Sequence, residues 1–118
     1  MPFNQVLEPP LANAAPTPLM ARWQAIIDLF NSTYLTLLRR VAVAYPRALF
    51  FLAYGPIRDN FRPELEWVRD AAVAAGIARV QLLDQSGFAC RCCGHPCASV
   101  DAEMANASAA AIAAALGW

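Results

Sequence analysis

The sequence predicts an α/β domain with two parallel strands and about three helices, forming part of a larger doubly wound sheet. Three observations carry that expectation. Apolar residues recur at spacings of three and four over a long segment that starts near Thr17. An unbroken apolar run, 48–53, and a second strand-like stretch, 78–83, follow it, with a second helix-like segment between them. A third helix-like pattern closes the chain after a cysteine-rich loop. The order helix, strand, helix, strand, loop, helix implies parallel pairing through a right-handed crossover.

Residues 1–18 hold five of the nine prolines, Pro2, Pro9, Pro10, Pro16 and Pro18. Such spacing forbids a regular helix or a central strand, so this stretch reads as an extended arm ahead of a domain at 19–118. A proline-rich ligand for another domain is the alternative, but no Pro-x-x-Pro stands beside basic residues. Thr17 and Pro18 are a cap residue and a first-turn proline, which mark a helix start. Trp23, Ile26, Ile27, Phe30, Tyr34, Leu37, Leu38 and Val41 then form one apolar stripe, read as core packing rather than as a cofactor-binding face. Residues 31–33, Asn-Ser-Thr, are weak helix formers and predict a kink or a restart. Tyr45-Pro46 ends the helix.

The run 48–53, closed by Gly55-Pro56, suits a strand buried on both faces. Pro63 then sits near the first turn of the second helix. Glu64 and Glu66 favour its positive end, and Leu65, Val68 and Ala72 mark its inner face. Gly76 stops it. The second strand is 78–83, and the last helix covers about 100–116, with Met104 and Ile112 facing inward. Two strands alone make a poor sheet, and 49–52 would leave an apolar edge. Either strands that belong before residue 1 or a partner chain would complete it.

The 118 residues suffice for one domain. Nine basic and nine acidic side chains balance, which argues against nucleic-acid binding, since that needs clustered positive charge. The apolar fraction of 58% is high, and much of the excess is alanine. The most apolar stretch, 35–54, contains Arg39, Arg40, Pro46 and Arg47, so no membrane span is expected. The first residues lack the basic start and apolar core of a signal peptide, so the chain as read is soluble and carries no address of its own.

Residues 86–105 concentrate the chemistry. They hold the only histidine, His95, and all four cysteines, Cys90, Cys92, Cys93 and Cys97. They lie between the second strand and the last helix, where loops on a rigid scaffold carry function. His95 is the candidate catalytic residue, as a general base after a late strand, and a structural loop histidine is the alternative. The set Cys90, Cys92, Cys93, His95 and Cys97 offers soft ligands for zinc or copper(I). Zinc sites usually join two separated ligand pairs, and no second pair exists elsewhere in the chain. No metal or cofactor is therefore expected, with that set kept as the metal alternative. Disulfides within the loop, a Cys97–His95 nucleophile pair and free thiols also remain open.

The ordered blocks suggest more. Gly94-His95-Pro96-Cys97, Asp101 and Met104-Ala105, preceded by Phe30-x-x-x-Tyr34, Tyr45-Pro46 and a strand ending Tyr54-Gly55-Pro56, resemble the C-terminal half of SGNH (GDSL-type) hydrolases. The likeness is to their carbohydrate-esterase family two branch, whose last block reads Gly-Cys-x-x-His-Pro-Ser-x-x-x-His-x-x-Met-Ala, and it covers roughly residues 27–118. It implies a partial three-layer, flavodoxin-like α/β/α fold and carboxylic-ester hydrolysis, with acetylated carbohydrate as the substrate class. Cys92 matches the Cys, His95 the catalytic His, Pro96 the Pro, and Met104 and Ala105 the Met-Ala. The family's Gly-Asp-Ser nucleophile block and its oxyanion-hole Gly and Asn have no counterpart. The serines are Ser32, Ser86, Ser99 and Ser108, none in a strand-to-helix nucleophile turn. Cys93 and Cys92 occupy the places of the orienting acid, a role some members give to a backbone carbonyl. Cys97 replaces the Ser and Asp101 the second His. The expectation is an esterase's C-terminal portion, inactive alone. The competing expectation is a non-enzymatic metal-binding or interaction module built on the loop 90–97.

Overall fold

The computed structural model describes residues 17–57, 60–88 and 95–118. It contains three helices and a two-stranded parallel sheet, in the order α1 (Pro18–Ala44), β1 (Phe50–Tyr54), α2 (Arg62–Ala74), β2 (Val80–Asp84) and α3 (Ala98–Leu116). This is the mixed α/β class that the alternating periodicities predict. The proposed arm, up to residue 16, lies outside the described residues.

α1 starts where the cap chemistry puts it. The Thr17 hydroxyl accepts from the Met20 amide at 3.2 Å, and Pro18 takes the first helical position, where no amide donor is required. The expected restart at 31–33 does not occur, since α1 runs through this segment as one helix. The Ser32 hydroxyl donates to the Leu29 carbonyl and the Thr36 hydroxyl to the Ser32 carbonyl, so both hydroxyls are satisfied along the helix itself. α2 opens with Pro63 in its first turn and stops at Gly76, whose φ of 94° supplies the left-handed turn.

The strands pair in register from Phe50↔Val80 to Tyr54↔Asp84. The ladder runs one bond further at each end, Phe50 N to Arg79 O at 2.8 Å and Gln85 N to Tyr54 O at 2.9 Å. At the entry side, the Arg79 guanidinium also donates to the Arg47 carbonyl at 2.7 Å. Side chains alternate across the sheet. Leu52, Tyr54 and Val80 are buried, with Phe50 and Leu82 packed beside them. On the opposite face, Ala53 and Gln81 are exposed, and Phe51 and Leu83 are half-buried. The expected burial on both faces is therefore realised on one only, because α1 and α2 both supply the core that covers this single side.

That core joins Leu52, Tyr54 and Val80 of the sheet to Leu65, Val68 and Ala72 of α2 and Leu38 of α1. The three α2 residues are the inner face read from sequence. Phe30 bridges the helices, with ring centroids 5.3 Å from Phe61 and 5.7 Å from Tyr34. The α1 stripe departs from expectation. Leu38 is buried and Phe30, Tyr34 and Leu35 pack against the core, but Trp23, Ile26 and Leu37 are 42%, 56% and 59% exposed. The stripe is wider than the one neighbour, α2, that lies along it.

Candidate functional site at the strand ends

The carboxyl ends of parallel strands are where α/β sheets present side chains to a ligand. Here they are Tyr54 and Asp84, direct neighbours in the register. The two loops that leave them touch. Gly55 has φ 78°, and a Cβ there would lie 2.6 Å from the Ser86 amide nitrogen and 2.8 Å from Ser86 Cα. Only glycine meets both the backbone conformation and the close approach.

A polar cluster closes this end. Asp84 Oδ1 accepts from the Ser86 amide at 2.8 Å and from the Ser86 hydroxyl at 2.5 Å. The two Ser86 bonds, with a further bond from the Tyr54 hydroxyl and the nearby Arg62 cation, hold the Asp84 carboxyl below its ordinary value against the opposing effect of desolvation. Tyr54 moves the other way. Its burial comes first and its bond to Asp84 second, and both favour the protonated phenol. Arg62, at the start of α2, lies with its guanidinium carbon 5.8 Å from the Tyr54 ring centroid and donates from Nε to Glu66 at 2.9 Å. Asp84 is thus committed to pinning the turn after β2. In the sequence Tyr54 stands out only as the residue before Gly55-Pro56 and Ser86 only as a serine outside a nucleophile turn, while Arg62 and Asp84 carry no mark. The available signal was the polar residue that closes each strand-like stretch.

His95 lies on the connection from β2 to α3, three residues before the helix, and is exposed. Pro96 restricts the backbone after it, and Cys97 is the N-cap of α3, with the Asp101 amide bonding to its carbonyl at 2.9 Å. The Cys97 sulfur is 3.3 Å from the Ser99 hydroxyl. That contact first, then the facing amide of Val100, holds the thiol below its ordinary value, although no closed side-chain cap bond forms. Cys90, Cys92 and Cys93 lie outside the described residues, and so does most of the candidate metal set. Among the described residues no group of three or more His, Cys, Asp or Glu side chains could hold a metal ion. No helix among them is long and apolar enough to cross a membrane.

The four serine hydroxyls are each engaged away from His95: Ser32 with Leu29, Ser86 with Asp84, Ser99 with Cys97 and Ser108 with Gln85. The described residues therefore hold a clamped strand end and, on the connection that follows β2, an exposed imidazole, and none of the four serine bonds goes to that imidazole. Comparison with protein-family models, curated proteins and solved structures yields no match.

Proposed function

We propose that the chain is the C-terminal portion of a carboxylic-ester hydrolase of the SGNH type, in which His95 is the general base. The observation that carries this reading is the order of parts. A parallel β1–α2–β2 unit leads, at the carboxyl ends of its strands, into the connection that bears an exposed His95 immediately before a closing helix. That is the position from which a histidine can reach a nucleophile seated at the head of a neighbouring strand.

The chemistry follows from the imidazole. A serine held by sequence outside these 118 residues would lose its proton to His95 as it attacks the ester carbonyl. His95 would return that proton to the departing alcohol, and a second cycle with water would release the acid. Ester oxygens in acetylated carbohydrate would be the substrate atoms. The partly uncovered sheet face and the exposed half of the α1 stripe support the companion reading that further strands, or a partner chain, complete the sheet.

The test begins with the transcript upstream of the Met1 codon. The expected result is an in-frame extension encoding a Gly-Asp-Ser strand-turn. Its full product should hydrolyse an aryl acetate, and His95→Ala should lower kcat/KM by about 100-fold or more. The 118-residue chain alone should give no rate above buffer. A full product that stays active without His95, or stoichiometric zinc whose removal unfolds the chain, overturns the reading.

A further inference from the structure

We propose that Gln85 and Ser108 are positioning residues for His95, a role whose catalytic meaning rests on the hydrolase reading above. The Gln85 side-chain amide donates to the Ser108 hydroxyl at 3.2 Å in a half-buried setting, linking residues 23 apart in sequence. Gln85 is the fixed end of this tether. It directly follows β2, and its backbone amide closes the last rung of the ladder on the Tyr54 carbonyl at 2.9 Å. Ser108 is the moving end, in the middle of α3.

α3 needs such a device because its composition specifies register poorly. Residues 107–117 read Ala-Ser-Ala-Ala-Ala-Ile-Ala-Ala-Ala-Leu-Gly, so Ser108 is the only polar side chain in that length. Its inner stripe is Val100, Met104, Ser108, Ile112 and Ala115, with Val100 buried and the others half-buried. Small, similar side chains on such a stripe let a helix slide or turn with little loss of contact, whereas a polar pair inside an apolar seam is satisfied in one register only. Buried Val100 anchors the first turn of α3, and the side-chain bond to Gln85 adds the register that the alanine-rich remainder does not specify. That setting passes to His95 through a short stiff link: Pro96 fixes its own φ, and Cys97 is already bonded into the first turn.

The experiment uses the 118-residue chain and reads His95 directly, since a single histidine yields one imidazole Cε1–H resonance. Ser108→Ala removes the tether while raising intrinsic helix propensity, so a weakened α3 cannot be blamed on the helix itself. In that variant, amide exchange across α3 should quicken about fivefold, the worth of one such hydrogen bond. The imidazole resonance should shift and sharpen as His95 gains freedom, while exchange in β1, β2 and α2 stays unchanged. Gln85→Ala should reproduce both effects, and Ser108→Thr, which keeps the hydroxyl, should restore them. Asn106→Ala, an exposed change on the same helix, should leave the imidazole signal in place. An unmoved His95 resonance in both tether variants overturns the proposal, as does failure of Ser108→Thr to restore it. Neither result depends on ester hydrolysis, so it can be told apart from failure of the hydrolase reading.

Discussion

Replacing Gly55 with alanine isolates the contact that locks the two strand ends together. The new Cβ would stand 2.6 Å from the Ser86 nitrogen, 2.8 Å from the Gln85 carbonyl carbon and 2.8 Å from Ser86 Cα. All three are backbone atoms of a turn that Asp84 clamps through Ser86, so no flexible side chain can give way. Alanine also has to hold φ 78°, which costs an L-residue about 1–2 kcal/mol. Overpacking against fixed atoms adds about 1–3 kcal/mol. The smaller entropy of the unfolded alanine chain returns about 0.4–1 kcal/mol. The net loss is then about 1–4.5 kcal/mol, a large share of the roughly 5–15 kcal/mol that holds a domain folded.

Two other glycines divide that figure into its parts. Gly76 has φ 94° with nothing within 4 Å of a built Cβ, so alanine there meets strain without a clash. Gly87 has open space and no left-handed backbone, so alanine there should fall within about 0.5 kcal/mol of neutral. Urea unfolding followed by tryptophan fluorescence and far-UV circular dichroism gives the three midpoints, with coincidence of the probes checking two-state behaviour. The expected ranking of loss is Gly55→Ala, then Gly76→Ala, then Gly87→Ala. If Gly55→Ala loses no more than Gly76→Ala, the close approach of the two loops is not a tight contact and the strand ends are not locked together.

Leu52→Ala, at a site 2% exposed, should cost about 2–5 kcal/mol in the same assay, whereas Leu37→Ala, on the uncovered half of the α1 stripe, should stay within about 0.5 kcal/mol. The Asp84 carboxyl is lower in the folded chain than in the unfolded one, so its stabilisation is complete above its ordinary value of 3.8 and fades as pH falls below it. Asp84→Asn, or Ser86→Ala, should therefore flatten the acid limb of the stability profile below about pH 4. The Tyr54 phenol is raised, so its contribution is complete below its ordinary value of 10.0 and is lost as pH climbs beyond it. Tyr54→Phe should flatten the alkaline limb and, by removing one of the bonds to Asp84, make the acid limb slightly shallower.

Much of the fold was legible because its signals are local. A cap at Thr17, a proline at 63 and a glycine at 76 act within one turn of chain, and each element begins or ends where that chemistry requires. The inner face of α2 was also legible, since Leu65, Val68 and Ala72 stand at helical spacing in an otherwise polar segment. The restart expected at Asn31-Ser32-Thr33 does not occur because weak local propensity is outweighed within a long helix whose Phe30, Tyr34, Leu35 and Leu38 pack on the core. The site was legible only in part. His95 stands out as the single imidazole, but Tyr54, Arg62, Asp84 and Ser86 are ordinary residue types whose partners lie up to some thirty positions away in sequence.

The sequence by itself determined the α/β class, the order of helices and strands and the loop that bears His95, since these follow from periodicity and from turn residues acting over a few neighbours. Only the tertiary structure decided which face of the sheet is covered, how much of the α1 stripe stays exposed, and that Gly55 must be bare. It also brought the Ser108 hydroxyl to Gln85. These outcomes depend on which surfaces meet, and a meeting between residues far apart in the chain leaves no local pattern to read.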